Sequence, residues 1–209
     1  MLPFGGKARK VELMEAADTR RTVMIEALWL RSGVAREVAL VLGGSLLIAL
    51  SAQLRLVLPF SPVPISGQTF AVLLLGALYG SRRGPATVMT YLALGAVGLP
   101  IGAGGALGVA WLLGPTGGYL VGFVAAAYVV GTLSERGWDR KPWTTAAGMI
   151  IGNGIIYAAG IVWLSKFVGW QAVLGAGFYP FLVGDAFKIA LATIPLPAGW
   201  KLIGRSGQQ

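Results

Sequence analysis

The sequence predicts an all-α integral membrane protein with six transmembrane helices and both termini in the cytoplasm. Three observations carry that prediction. The 209 residues are 56% hydrophobic and only 12% charged, with a mean hydropathy of +0.72, outside the range of soluble globular domains. The apolar residues gather into six segments. Fourteen of the seventeen basic residues lie before the first segment, after the sixth or in alternate connections, which by the positive-inside rule puts them, and both chain ends, on the cytoplasmic side. The bilayer is therefore the first expected partner. The net charge of +9 reads as a topology signal, with no nucleic-acid partner implied.

Residues 1–37 are polar and mixed in charge, with Val23, Met24, Ile25, Leu28, Trp29 and Leu30 interspersed, and read as a cytoplasmic arm that is partly helical. No cleavable signal is expected, because the first apolar run starts late and is too long for an h-region. The membrane domain is read over 38–200, with helices at about 38–58, 68–80, 84–98, 116–134, 143–167 and 178–197, and a cytoplasmic tail over 201–209. The second and third helices are short, so they tilt, pair closely or stop short of one face. Arg82 and Arg83, then Arg136, Arg140 and Lys141, mark the inner connections, whereas the outer loops at about 59–67, 99–115 and 169–177 hold no basic residue. Arg55 and Lys166 sit near outer helix ends, where long side chains can snorkel.

Asp185 and Lys188 have no such escape. Asp185 is the only acidic residue in the last seventy, inside the apolar stretch Phe178 to Pro197. At i and i+3 the two share one helix face. If helix 6 runs inward, Asp185 lies ~10 Å below its outer start at 1.5 Å per residue. Ionisable groups at that depth face a partner, a cavity or a ligand; the alternative is a simple buried ion pair. In helix 5, Asn153 and Tyr157 are four apart beside Gly160, placed either to bind a ligand or to join neighbouring helices. The stretch Gly114 to Tyr119 reads as a helix start with free N–H groups suited to a ligand oxygen. The loops after Pro59, Pro62 and Pro64, and from Gly98 to Gly118, are candidate lids, since irregular backbone at membrane depth must be packed in protein or line a cavity. In helix 1, Ser45, Ala49 and Ala52 form a small-residue face, divided between internal packing and partner docking.

The chain contains neither Cys nor His, so no thiolate, imidazole or disulfide chemistry is available, and no metal site and no cofactor are expected. General acid/base work has little to draw on, so no enzyme is expected. There is no phosphate loop, because Gly6-Lys7 is followed by Ala8, and no sign that this polypeptide hydrolyses ATP. Nor does the second half repeat the first, as an inverted-repeat transporter often does.

Pro62-Val63-Pro64-Ile65 with Gln68-Thr69, the Gly95 to Pro100 stretch, the Gly114 to Phe123 run, Gly152-Asn153 with Tyr157 and Trp163-Leu164, and Asp185-x-x-Lys188 together resemble the BioY family. Its members are the biotin-binding S components of energy-coupling-factor (ECF) transporters. The likeness runs in order over about 38–200. It implies an S-component bundle in a bacterial cytoplasmic membrane that takes biotin from outside and docks on a transmembrane coupling protein carrying two ATPases. The family's conserved Asp and Lys fall on Asp185 and Lys188. Asp185 can accept from the ureido N–H groups of biotin, and Lys188 can donate to a ligand oxygen and neutralise Asp185 in the empty site. Gln68, Thr69, Thr116, Tyr119, Asn153 and Tyr157 are expected to complete the pocket, and Ser45, Ala49 and Ala52 to face the coupling protein. The competing expectation is a stand-alone transporter, facilitated or proton-coupled with Asp185 as the titrating group.

Overall fold

The computed structural model describes residues 23–28 and 33–206; most of the arm read over 1–37, and the end of the tail, lie outside the described residues. Within them the chain runs through α1 (Met24–Leu28), α2 (Val34–Gln53), β1 (Arg55–Leu56), β2 (Ile65–Ser66), α3 (Gln68–Ala96), α4 (Gly108–Leu113) and α5 (Gly117–Glu135). A 3₁₀ turn (Trp138–Arg140) then leads to α6 (Pro142–Val168), α7 (Val173–Gly177), α8 (Tyr179–Ala192) and α9 (Pro195–Ser206).

The all-helical expectation holds except for one small ribbon. The apolar run from Val38 continues to Leu58, but α2 ends at Gln53 and the chain extends into β1, which pairs antiparallel with β2, Arg55 opposite Ser66 and Leu56 opposite Ile65. Pro59 and Pro62 supply no N–H and disfavour helix in the residue before each, so continuous hydrophobicity does not become continuous helix. The expected second and third helices are the two arms of α3, folded back at Gly80, whose φ of 82° only glycine adopts readily. The sixth is broken as well. α8 stops at Ala192, and Pro195 starts α9, which carries the helix through residues 201–206 of the expected tail.

Small residues set the packing distances. A Cβ on Gly84 would lie 3.0 Å from Cα of Gly76, so the arms of α3 touch backbone to backbone, and a Cβ on Gly76 would meet the Ala127 carbonyl at 2.9 Å. α5 is thereby clasped between α3 and α6, with Ala126 and Ala127 fully buried. The Gly80 turn is capped from α5: Glu135 Oε1 accepts from the Ser81 backbone N–H at 2.7 Å and from Ser81 Oγ at 2.8 Å. Arg83 ties α1 and α2 to the same end through Glu26 (2.9 Å) and Glu37 (2.6 Å).

Outward faces are apolar, with Val183 81%, Phe187 70% and Val121 67% exposed, a surface that water would not tolerate and lipid would. Among the described residues, four stretches are long and apolar enough to cross a bilayer: α2, α5, α6 and the run Val173–Leu202. The row Ser45, Ala49 and Ala52 is not on that exterior. All three are buried, and Ser45 Oγ donates to the Thr87 carbonyl at 2.9 Å. Close approach to the second arm of α3 consumes the row, so the division left open by the sequence resolves toward internal packing. The small residues that α2 leaves exposed are Ala35, Ala39 and Gly43.

Two outcomes are expected. Gly76→Val, which drives a side chain into the Ala127 backbone, lowers the unfolding free energy in detergent by about 1–3 kcal/mol, whereas Gly43→Val, with open space around it, changes the melting temperature little. The second concerns Asp139, 2% exposed, whose Oδ2 accepts from Trp200 Nε1 of α9 at 2.6 Å. Burial pushes its carboxyl up to about 6. An acid whose folded pKa is raised stabilises the fold fully below its unfolded value, and that contribution is lost as pH rises through the folded one. Thermal unfolding should therefore show wild type losing stability relative to Asp139→Asn between about pH 4 and pH 6, by up to about 3 kcal/mol.

Candidate functional site

The ribbon, the first turn of α3, the middle of α6 and the middle of α8 meet at one polar cluster. Asp185, 5% exposed, accepts from Tyr157 Oη on one carboxylate oxygen and from Lys188 Nζ at 3.1 Å on the other. Lys188 Nζ donates in addition to the Ser66 carbonyl and to Thr69 Oγ1, each at 2.8 Å. Three donors to three different acceptors satisfy the ammonium completely. The i, i+3 placement on α8 puts Lys188 beside Asp185, but its other partners come from 119 and 122 residues away.

This cluster faces a cavity of about 50 Å³. Asp185, Lys188, Tyr157, Gln68, Thr69, Thr116 and Tyr119 all line it, so seven of the eight expected pocket residues are brought together. Their roles differ. Gln68 Nε2 donates to Tyr91 Oη, which donates in turn to the Ile101 carbonyl at 3.2 Å; Tyr119 Oη is held by the Gly177 carbonyl at 2.8 Å. Those two side chains are braced by neighbours, whereas the Asp185 to Thr69 cluster presents its polar atoms at the cavity wall.

Asn153 is the exception. It lies toward the Arg82–Arg83 end of the bundle from Tyr157 and borders a separate small cleft with Thr69, Met149 and Lys188, its Oδ1 buried without a partner among the described residues. The 100° step per residue of a helix turns i and i+4 some 40° apart, enough to move Asn153 out of the main cavity.

The apolar walls were not assigned individually from the sequence. Trp111, Phe123, Ile156 and Phe181 supply them; Trp111 packs edge-on to Tyr91 at 5.7 Å, and Phe178 edge-on to Tyr157 at 4.9 Å. Trp111 sits on α4, a helix of six residues inside what reads as a glycine-rich loop, and no periodicity in so short a segment announces it. Ser66 was likewise missed, because its contribution is a backbone carbonyl, which carries no residue signature.

The loops above the cavity are fastened at their shoulders. Ser61 Oγ donates to the Ala176 carbonyl at 2.6 Å, Gln53 Nε2 to the Gly102 carbonyl at 3.1 Å, and Trp163 Nε1 to the Gly114 carbonyl at 2.9 Å. A recessed chamber with aromatic walls, a paired carboxylate and ammonium, and a phenol can offer both hydrogen-bond donors and acceptors to a small molecule.

Comparison with known proteins points the same way. The model of the BioY family matches residues 18–205. The chain is 40% identical to "Biotin transporter BioY" of Thermotoga maritima, over 66% of this chain and 80% of that protein, and 36% identical to "Probable biotin transporter BioY" of Pyrococcus horikoshii, over 77% and 93%. A biotin transporter BioY of Rhodobacter capsulatus is 40% identical over 69% and 86%. The crystal structure of the S-component for biotin from an ECF-type ABC transporter superimposes with a TM-score of 0.68 over 86% of this chain and 96% of that one, at 23% identity, a likeness of fold.

The polar cluster makes its own prediction in the ligand-free protein. Lys188→Met leaves Asp185 buried without its cation and should lower stability by about 3–5 kcal/mol. The double variant Asp185→Asn with Lys188→Met should recover most of that loss in thermal unfolding, because no uncompensated charge remains.

Proposed function

The chain belongs to the BioY family, and from that premise we propose that it captures biotin from outside the cell as the substrate-specificity component of an ECF-type transporter. The observation that carries the reading is the Asp185, Lys188 and Tyr157 cluster at the wall of an aromatic-lined cavity. The ureido ring of biotin offers two N–H donors and one carbonyl acceptor; Asp185 takes the donors, and Lys188 or Tyr157 supplies the acceptor's partner. Thr69 keeps Lys188 aligned, and the apolar walls hold the fused rings.

In this reading six segments cross the membrane: α2, the two arms of α3, α5, α6 and the run containing α8. The end bearing Arg82, Arg83, Arg136, Arg140 and Lys141 faces the cytoplasm, and the cavity with its loops opens outward. Membership in this family makes the chain a transporter component, and no catalysis is proposed. Energy comes from a partner, a coupling protein with two ATPases, because the chain has no phosphate loop of its own.

Titration of the purified full-length protein in detergent with biotin tests the site. Asp185→Asn and Lys188→Ala should each weaken binding by about 2–5 kcal/mol, the worth of a buried charged hydrogen bond, and Tyr157→Phe by about 1 kcal/mol. Wild-type affinity in both charge variants removes the assignment. Uptake into proteoliposomes driven by a pH gradient with no ATPase present favours the stand-alone transporter instead.

A further inference from the structure

Asn153 is the one expected pocket residue that the main cavity leaves out, yet its side chain is not surrounded by partners of its own. It is 7% exposed, and its Oδ1 meets no donor among the described residues. Buried side-chain acceptors are met by protein or by ordered water in nearly every case. The cleft that Asn153 borders measures about 10 Å³ and also touches Thr69 and Lys188, while the rest of its wall is apolar, Leu73 and Met149 included. That volume is close to what one water needs.

The neighbours narrow what can sit there. Lys188 Nζ is committed to three acceptors, on Asp185, Ser66 and Thr69, so it has no donor left for Asn153. Thr69 Oγ1 receives one of those bonds at 2.8 Å, and a hydroxyl that accepts in this way keeps its own hydrogen to donate. Among the described residues no acceptor meets that hydrogen. Thr69 thus offers a donor to the cleft where Asn153 offers an acceptor, and no bond joins the two directly. The helices cannot close further to make one: a Cβ on Gly152 would fall 2.5 Å from Cδ2 of Leu73, one turn along α3 from Thr69. Among the described residues the cleft is bordered by an ammonium and by no carboxylate, which disfavours a cation, and its volume excludes anything larger than a water.

We infer that one buried water binds in this cleft, accepting from Thr69 Oγ1 and donating to Asn153 Oδ1, and that Asn153 is thereby a positioning residue for biotin capture. The contacts run from Asn153 through the water to Thr69, and from Thr69 to the Lys188 ammonium. With its hydrogen drawn toward the water, the Thr69 hydroxyl turns a lone pair to Lys188 and keeps the ammonium beside Asp185 at the cavity wall. Thr69 and Lys188 border both spaces, so a group outside the main cavity sets the hydrogen-bond direction of two that line it. The inference rests on the biotin reading above and extends it.

A crystal structure of the ligand-free full-length protein, at a resolution that shows ordered solvent, should place one water within hydrogen-bond reach of both Asn153 Oδ1 and Thr69 Oγ1. Titration of the purified protein in detergent with biotin tests what that water does. Asn153→Leu, which keeps the volume and removes the acceptor, should weaken binding on the order of fivefold, the worth of one net hydrogen bond. Its melting temperature without ligand should stay close to that of wild type, because the atom removed has no protein partner. Asn153→Ser, whose hydroxyl can still hold a water, should bind more tightly than Asn153→Leu. Thr69→Val should also weaken binding, and adding Asn153→Leu to it should cost nothing further, since both act through the same water. Density that shows no water, or the Asn153 amide bonded directly to protein, overturns the inference. So do wild-type affinity in Asn153→Leu, losses that add in the double variant, and a binding loss accompanied by a fall in the melting temperature, which would make Asn153 an ordinary tie between helices. If wild type binds no biotin, the biotin reading itself fails and the positioning role goes with it; biotin binding that is indifferent to Asn153 removes the extension alone.

Discussion

A carboxylate enclosed by apolar helices persists only while donors meet its lone pairs, and Asp185 organises the structure around that demand. Its two oxygens take Tyr157 from α6 and Lys188 from α8. Lys188 must in turn be satisfied, and reaches across to Thr69 on α3 and the Ser66 carbonyl on the ribbon. Helices that otherwise touch through interchangeable methyl groups are thereby given one specific register. In the function proposed above, the same cluster would let a polar guest exchange partners with the protein at little loss of hydrogen bonding, because the donors and acceptors are already in place.

The segments above that cluster look like loops in composition but are braced in structure. Ser61, Gln53, Tyr91 and Trp163 each hold a backbone carbonyl of these outer segments, and Gly104 and Gly105 turn the 99–107 loop at positive φ between them. Order imposed before a ligand arrives reduces what must be ordered when it binds.

The opposite end of the bundle is built on charge. Glu135 caps the Gly80 turn, Arg83 bridges Glu26 and Glu37, and Asp139 holds Trp200 beneath Arg140, whose guanidinium lies 4.5 Å from the indole. The loop end, by contrast, carries only Arg55 and Lys166 near its helix ends among the described residues. The two ends of the bundle therefore differ in the charged groups that hold them together.

The apolar segments, the alternate placement of arginines and the Asp185 and Lys188 pair at i, i+3 are local properties, and the sequence by itself determined them: helical class, the hairpin at residues 80–84, helix ends within a residue or two for α5 and α6, and where to look for a site. It did not determine that α2 yields to a ribbon at Arg55, that α4 exists, that α8 and α9 are separate, or that Ser45, Ala49 and Ala52 are spent inside the bundle. Nor did it separate Asn153 from Tyr157, or bring Ser66 to Lys188 over 122 residues of chain. Those outcomes depend on which backbones approach closely enough to exclude one another and which buried polar atoms then have a partner in reach, and only the assembled tertiary structure decides that.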